Sequence, residues 1–162
     1  MRRTALFALL AALAPMAALA DPALDQRLEA LIADVEEEVG DVPVIGAAAL
    51  MQSVAAGKPP ILLDVRSDKE RAVSVIAGAV TDADSIPPGA EVVVYCTVGL
   101  RSGIAARELR ERGVDALNLR GGILAWIADG GDVVDGNGTQ TRRVHVYGRR
   151  WDAVPEGYQA VW

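Results

Sequence analysis

Four consecutive apolar residues, Val92-Val93-Val94-Tyr95, run directly into Cys96-Thr97-Val98-Gly99-Leu100-Arg101-Ser102, after which apolar residues return at helical spacing. An apolar run without polar alternation suits a strand buried on both faces. When such a strand passes through a short loop into a helix, the chain needs a parallel sheet with helices packed over it. The same junction gathers the unpartnered N–H groups of a helix N-terminus around one point, which favours a thiolate and any anion that it handles. Cys96 stands at that point, and it is the only cysteine of the chain.

The remaining pattern agrees with this unit. Leu24, Leu28, Leu31, Ile32 and Val35 recur at helical spacing and predict an amphipathic helix ending before Gly40. A second helix is expected from Ile45 to Ala56, closed by Gly57 and by Pro59-Pro60. Ile61-Leu62-Leu63 with Val65 reads as a strand, and Ser67 with Glu70 reads as a capping box for a helix over Asp68 to Val75. Ser102 to Arg112 forms a helix stopped by Gly113, Ala116 to Leu119 a third strand, and Gly121-Gly122 opens a short helix holding Ile123, Leu124, Trp126 and Ile127. Strands alternating with helices define one α/β domain with a mainly parallel central sheet flanked by helices. Ligands of such sheets sit beyond the carboxyl ends of the strands, where Cys96 falls.

The two ends differ from this core. Residues 1–20 carry Arg2 and Arg3, an apolar run from Ala5 to Leu13, and Ala18-Leu19-Ala20 before Asp21, the parts of a secretory signal peptide. Export to a bacterial periplasm is the expectation, with no stable membrane insertion once the leader is removed. The chain divides into the leader, an N-terminal helix segment at 21–44, a core domain at 45–134, and an extension at 135–162. That extension carries Trp151, Tyr158 and Trp162, which are expected to fold back on the domain; an exposed aromatic surface for a partner is the alternative.

Charge and residue counts exclude several functions. The net charge is −6, and losing Arg2 and Arg3 makes the chain more acidic, which opposes nucleic acid as a partner. One cysteine and one histidine do not supply an ordinary structural zinc site, the acidic spacing gives no calcium loop, and no phosphate-loop or dinucleotide fingerprint occurs. No metal and no cofactor are expected. In an oxidising compartment a lone cysteine forms no internal disulfide, so Cys96 is free, transiently derivatised, or joined to another molecule.

Tyr95 to Gly103 resembles the active loop of the rhodanese family, and the resemblance covers residues 45–134. Leu63-Asp64-Val65-Arg66 is similar to the family's first marker, Glu70 followed by Ile76-Ala77-Gly78-Ala79 to its second, and Asn118 to Trp126 to its closing one. The chain departs at Ser74-Val75, where the family commonly has Gly-His. The resemblance implies that Cys96 accepts sulfane sulfur from an anionic donor such as thiosulfate, becomes a persulfide, and passes the sulfur to a thiol or a protein acceptor. It further implies that the N–H groups of Thr97, Val98, Gly99, Leu100, Arg101 and Ser102 form the substrate cradle and that Arg101 holds the donor. The six-residue span from Cys96 to Arg101 resembles sulfurtransferases rather than the related phosphatases, whose loop has seven residues. A noncatalytic sulfur carrier or protein-binding module is the alternative to an enzyme.

The residue chemistry runs alongside. The donor fork of Arg101 suits sulfonate-like oxygens and adds positive charge beside the thiol. Gly99 permits a loop conformation that a side chain resists. Ser102 either caps the helix or donates to a persulfide, with the cap favoured, and Thr97 offers a hydroxyl. Asp64, Arg66, Glu70 and Trp126 are expected to support the structure: Asp64 through loop hydrogen bonds, Arg66 by pairing with Glu70, and Trp126 by packing in the core. Asp82 and Asp84 read as a solvated face, and His145 is not expected to reach the loop.

Overall fold

The structure, a computed structural model, describes residues 21–162. The leader expected at 1–20 lies outside the described residues. Among the described residues no helix is long and apolar enough to cross a membrane.

A four-stranded parallel sheet forms the centre. Its strands β1 (Val44–Ile45), β2 (Ile61–Asp64), β3 (Glu91–Tyr95) and β4 (Asp115–Leu119) lie in the order β1-β4-β3-β2. Leu63 pairs with Val94 and Val93 with Leu117, so β3 is an inner strand, and Val92 to Tyr95 are fully buried. That burial on both faces is the reason the run lacks polar alternation. Among the described residues five α-helices flank the sheet: α1 (Pro22–Val39), α2 (Ala47–Ala55), α3 (Asp68–Val73), α4 (Leu100–Glu111) and α5 (Gly122–Ala128).

Asp21 caps α1 through its side chain, and Gly40, at φ 73°, ends the helix. The buried stripe Leu28, Leu31, Ile32, Val35 and Val39 lays α1 against α4. Contact there is close. A Cβ at Gly103 would lie 2.8 Å from a methyl of Val39, so only glycine admits α1 at this distance. Arg120, after β4, ties the same helix down through Glu29 and Glu36.

Several sequence boundaries shift. Ile45, expected in the second helix, belongs to β1, whose two residues pair with Asn118 and Leu119, and α2 begins only at Ala47. The division at 44/45 therefore falls inside a strand. α4 starts at Leu100, not Ser102, because Gly99 at φ 117° turns the chain straight into the helix. The capping box is present: Ser67 Oγ accepts from Glu70 N–H while the Glu70 carboxylate accepts from Ser67 N–H.

The extension folds back over the sheet end. β5 (Val133–Val134) pairs with β6 (Gln140–Thr141), and β7 (Arg143–His145) runs parallel to β8 (Gln159–Val161). Val75 bridges to Val134, and β7 packs on α3. Val144, Val146 and Ala153 carry this packing and are buried. The aromatics contribute less than their size suggests: Trp151 and Tyr158 are half-buried, whereas Trp162 is 54% exposed.

Candidate active site

Cys96 follows the last residue of β3, and its side chain is buried at 2% exposure. Gly99 N–H donates to its Sγ at 3.2 Å, and the Ser102 hydroxyl oxygen lies 3.4 Å from the same sulfur. The first turn of α4 opens immediately afterwards; its first backbone bond runs from Gly103 N–H to Gly99 O, leaving the N–H groups of Leu100, Arg101 and Ser102 without helical partners. Of the cradle expected from Thr97 to Ser102, Gly99 is the member whose N–H reaches Sγ. Thr97 and Val98 are buried, and Leu100 lines the adjoining cleft.

Ser102 does not cap the helix. It sits within the first turn, and its hydroxyl is 2.7 Å from Asn118 Oδ1. Asn118 is oriented by its own amide, whose Nδ2 donates to Gly99 O at 3.0 Å. A hydroxyl has one proton, and this one is taken by Asn118, so the Ser102 oxygen presents lone pairs to a protonated thiol. When the sulfur is anionic, the hydroxyl can swing and donate to it. Sequence reasoning missed Asn118; the available signal was a polar residue within the buried strand Ala116 to Leu119, since a buried amide must find partners.

The charged residues pair differently from expectation. Arg66 was expected to pair with Glu70. It instead lies against Asp64, with Nη2–Oδ2 at 2.7 Å and Nε–Oδ1 at 3.0 Å, and donates to Ser74 O at 2.6 Å. Tyr95 stacks beside it, 5.4 Å from ring centroid to guanidinium, and the Tyr95 hydroxyl accepts from Ile76 N–H. The buried pair thus joins the ends of β2 and β3 to the Ser74-Val75 turn, where the chain departs from the family pattern. Trp126 packs in the core and donates from Nε1 to Asp132 O. Asp82 caps the turn at Ala83–Ser85, and Asp84 pairs with Arg112 at the surface.

Glu70 is bound by Arg101. The Arg101 Nη1 and Nη2 meet the two carboxylate oxygens at 2.8 and 2.6 Å, and Thr97 Oγ1 is 3.2 Å from Oε1. Burial pushes the Glu70 carboxyl up, but the hydrogen bonds from Arg101 and Ser67 outweigh it and hold the group at about 2. The hydrogen bonds to Glu70 raise Arg101 above its ordinary value against the opposing effect of burial, and Cys96 adds to the rise. The fork expected to hold an anionic donor is therefore occupied. The reason is electrostatic: a carboxylate that is only 1% exposed requires a cation, and Arg101 is the one within reach.

A pH dependence follows. Because the folded Glu70 value lies below the unfolded one of about 4.3, the pair's stabilisation is present above that value and is lost as pH falls toward about 2. Glu70→Gln should lower the melting temperature at pH 7, and the difference from the natural chain should shrink as melts are repeated down to pH 2.

α5 holds the loop from the other side. Ile123 N–H donates to Cys96 O at 2.9 Å and Leu124 N–H to Thr97 O at 3.2 Å. Gly122, at φ 55°, lets the backbones meet; a Cβ there would stand 2.5 Å from Cys96 O and 2.7 Å from Thr97 O. Backbone cannot yield as a side chain can. Gly122→Ala should destabilise the protein by about 1–3 kcal/mol or more in chemical denaturation and move the Cys96 loop.

A cleft of about 130 Å³ opens onto Cys96, lined by Thr97, Val98, Leu100, Arg101, Tyr147 and Trp151. The last two come from the extension and were not foreseen at the site. His145, nearby in sequence, accepts at Nδ1 from Tyr147 N–H, and burial lowers its pKa. It shapes the Tyr147 turn and makes no hydrogen bond to Cys96.

A parallel α/β domain carrying a cysteine at the carboxyl end of an inner strand, wrapped by a loop that becomes a helix, is the class that fold and site define. The family model of the rhodanese-like domain matches residues 47–129, and the chain belongs to that family. It is 34% identical over 99 residues to a sulfurtransferase of Allochromatium vinosum, covering 56% of this chain and 92% of that protein. It is 40% identical over 72 residues to a tRNA sulfurtransferase of Desulfurococcus amylolyticus, covering 42% of this chain and 15% of that protein. Among solved structures, a rhodanese-related protein of Thermoplasma volcanium is similar with a TM-score of 0.51 and 28% identity, covering 57% of this chain and 97% of that one. α1, β1 and residues 130–162, which include the whole extension, lie outside the family match.

Proposed function

We propose that this protein is a sulfurtransferase whose Cys96 carries sulfane sulfur as a persulfide. The observation that carries the reading is the surroundings of Sγ: a Gly99 N–H and a Ser102 hydroxyl able to reverse its bond, both at one helix N-terminus. With thiosulfate as donor, the Cys96 thiolate attacks the outer sulfur. A new S–S bond forms, the sulfur–sulfonate bond breaks, and sulfite leaves with its electron pair. An acceptor thiolate then attacks the outer sulfur of the persulfide and releases the Cys96 thiolate. The relatives named sulfurtransferase support this chemistry. The leader features before Asp21 support a periplasmic place of action.

The site residues divide the work. Gly99 and Ser102 contact sulfur; Asn118 positions Ser102; Glu70 and Thr97 position Arg101. The test is intact mass after incubation with thiosulfate. One sulfur, about 32 Da, should appear on the peptide containing Cys96 and disappear with an acceptor thiol. An unchanged mass would remove thiosulfate as the donor, and an unchanged mass with organic thiosulfonates as well would sink the reading.

A further inference from the structure

Resting on the sulfur-transfer reading, we propose that Tyr147 and Trp151 are specificity-determining residues that make this site select sulfane donors bearing an apolar carbon group over inorganic ones. Both side chains come from the extension outside the family match, and both line the cleft that opens onto Cys96.

Three observations carry the proposal. The first is charge. Both terminal nitrogens of Arg101 are committed to Glu70, so the cation beside the thiol is already neutralised. An inorganic donor brings two charges to a cleft with no free cation among its lining residues. A monoanionic organic donor presents its sulfur to the N–H groups at the helix end and keeps its carbon group on the other wall.

The second is shape and lining. Val98, Leu100, Tyr147 and Trp151 supply the apolar part of the wall. The volume of about 130 Å³ approaches that of a cavity of about 150 Å³ known to bind benzene in another protein. A single aromatic or branched aliphatic group therefore matches the space.

The third is how Tyr147 is held. It has φ 67°, the left-handed region that non-glycine residues rarely enter, and it is the one described non-glycine residue there. Its N–H bonds to His145, and Gly148 N–H closes the turn on Val146 O. The residue is 64% exposed, so burial does not hold it in place; its ring lies over the Arg101 guanidinium at 5.0 Å. The turn sets an aromatic face at the mouth of the cleft.

The test compares two donors of equal charge that both leave as sulfinates and differ only in the carbon group, benzenethiosulfonate and methanethiosulfonate. In each, the Cys96 thiolate takes the outer sulfur, the sulfur–sulfonyl bond breaks, and the sulfinate leaves with the electron pair. Rates of sulfur uptake by the full chain are read by intact mass under single-turnover conditions. The natural protein should take sulfur from the phenyl donor at least tenfold faster than from the methyl donor. Trp151→Leu and Tyr147→Asn, the latter tolerant of positive φ, should each lower that ratio at least fivefold, whereas Trp151→Phe should keep most of it. A ratio near one in the natural protein, or a ratio unmoved by both variants, would overturn the assignment while leaving sulfur transfer intact. Uptake from neither donor nor from thiosulfate would overturn the sulfur-transfer reading itself, and this assignment with it.

Discussion

A Cys96→Ser protein is expected to take up no sulfur from thiosulfate under conditions in which the natural chain gains about 32 Da. The chain holds one cysteine, so no second thiol can substitute for it. A serine hydroxyl in the same place can still accept from Gly99 N–H and meet the Ser102 oxygen, so the loop keeps its bonds and the fold should survive. The sheet does not depend on the sulfur either, since Val92 to Tyr95 are packed by their own burial. The variant should therefore melt within a few degrees of the natural protein while losing uptake completely. Sulfur bound by a folded serine variant would place the acceptor elsewhere and remove Cys96 from the chemistry.

The parts of this site that were legible in the sequence are those whose chemistry is local. Cys96, Gly99 and the start of α4 lie within a few residues, and the strand before them declares itself by uninterrupted apolar character. The capping box of Ser67 and Glu70 was readable for the same reason. Pairings set by the fold were not. Glu70 stands four residues from Arg66 and 31 from Arg101, and local spacing favours the nearer arginine. Asp64, only two residues from Arg66, takes that arginine, and the fold carries Arg101 across to Glu70. β1 escaped because two residues carry no period, and its apolar residues could equally begin a helix; only pairing with Asn118 and Leu119 defines it. Asn118 and Tyr147 reach the site through β4 and through the return of the extension; Asn118 stands in the closing marker with no partner named by it, and no motif covers Tyr147.

The return of the extension also predicts a large effect on stability. Removing residues 138–162 takes away Val144, Val146 and Ala153, all buried, together with β6, β7 and β8. Full burial of one valine-sized side chain stabilises by about 1.5–3 kcal/mol, and each 1 kcal/mol moves the melting temperature of a domain this size by about 3–5 °C. Loss of the two valines alone should lower the melting temperature by on the order of 10 °C. The fully buried aliphatic residues carry this term, with the half-buried Trp151 and Tyr158 adding to it, so Val146→Ala should cost about 1–2 kcal/mol. Trp162→Ala should have little effect, because that ring is more than half exposed and rests on the Arg149 guanidinium at 5.4 Å. If the extension were instead a free docking surface, truncation would leave the melt unchanged. The buried valines and the packing of β7 on α3 argue against that outcome: the same segment that completes the core also delivers Tyr147 and Trp151 to the mouth of the Cys96 cleft.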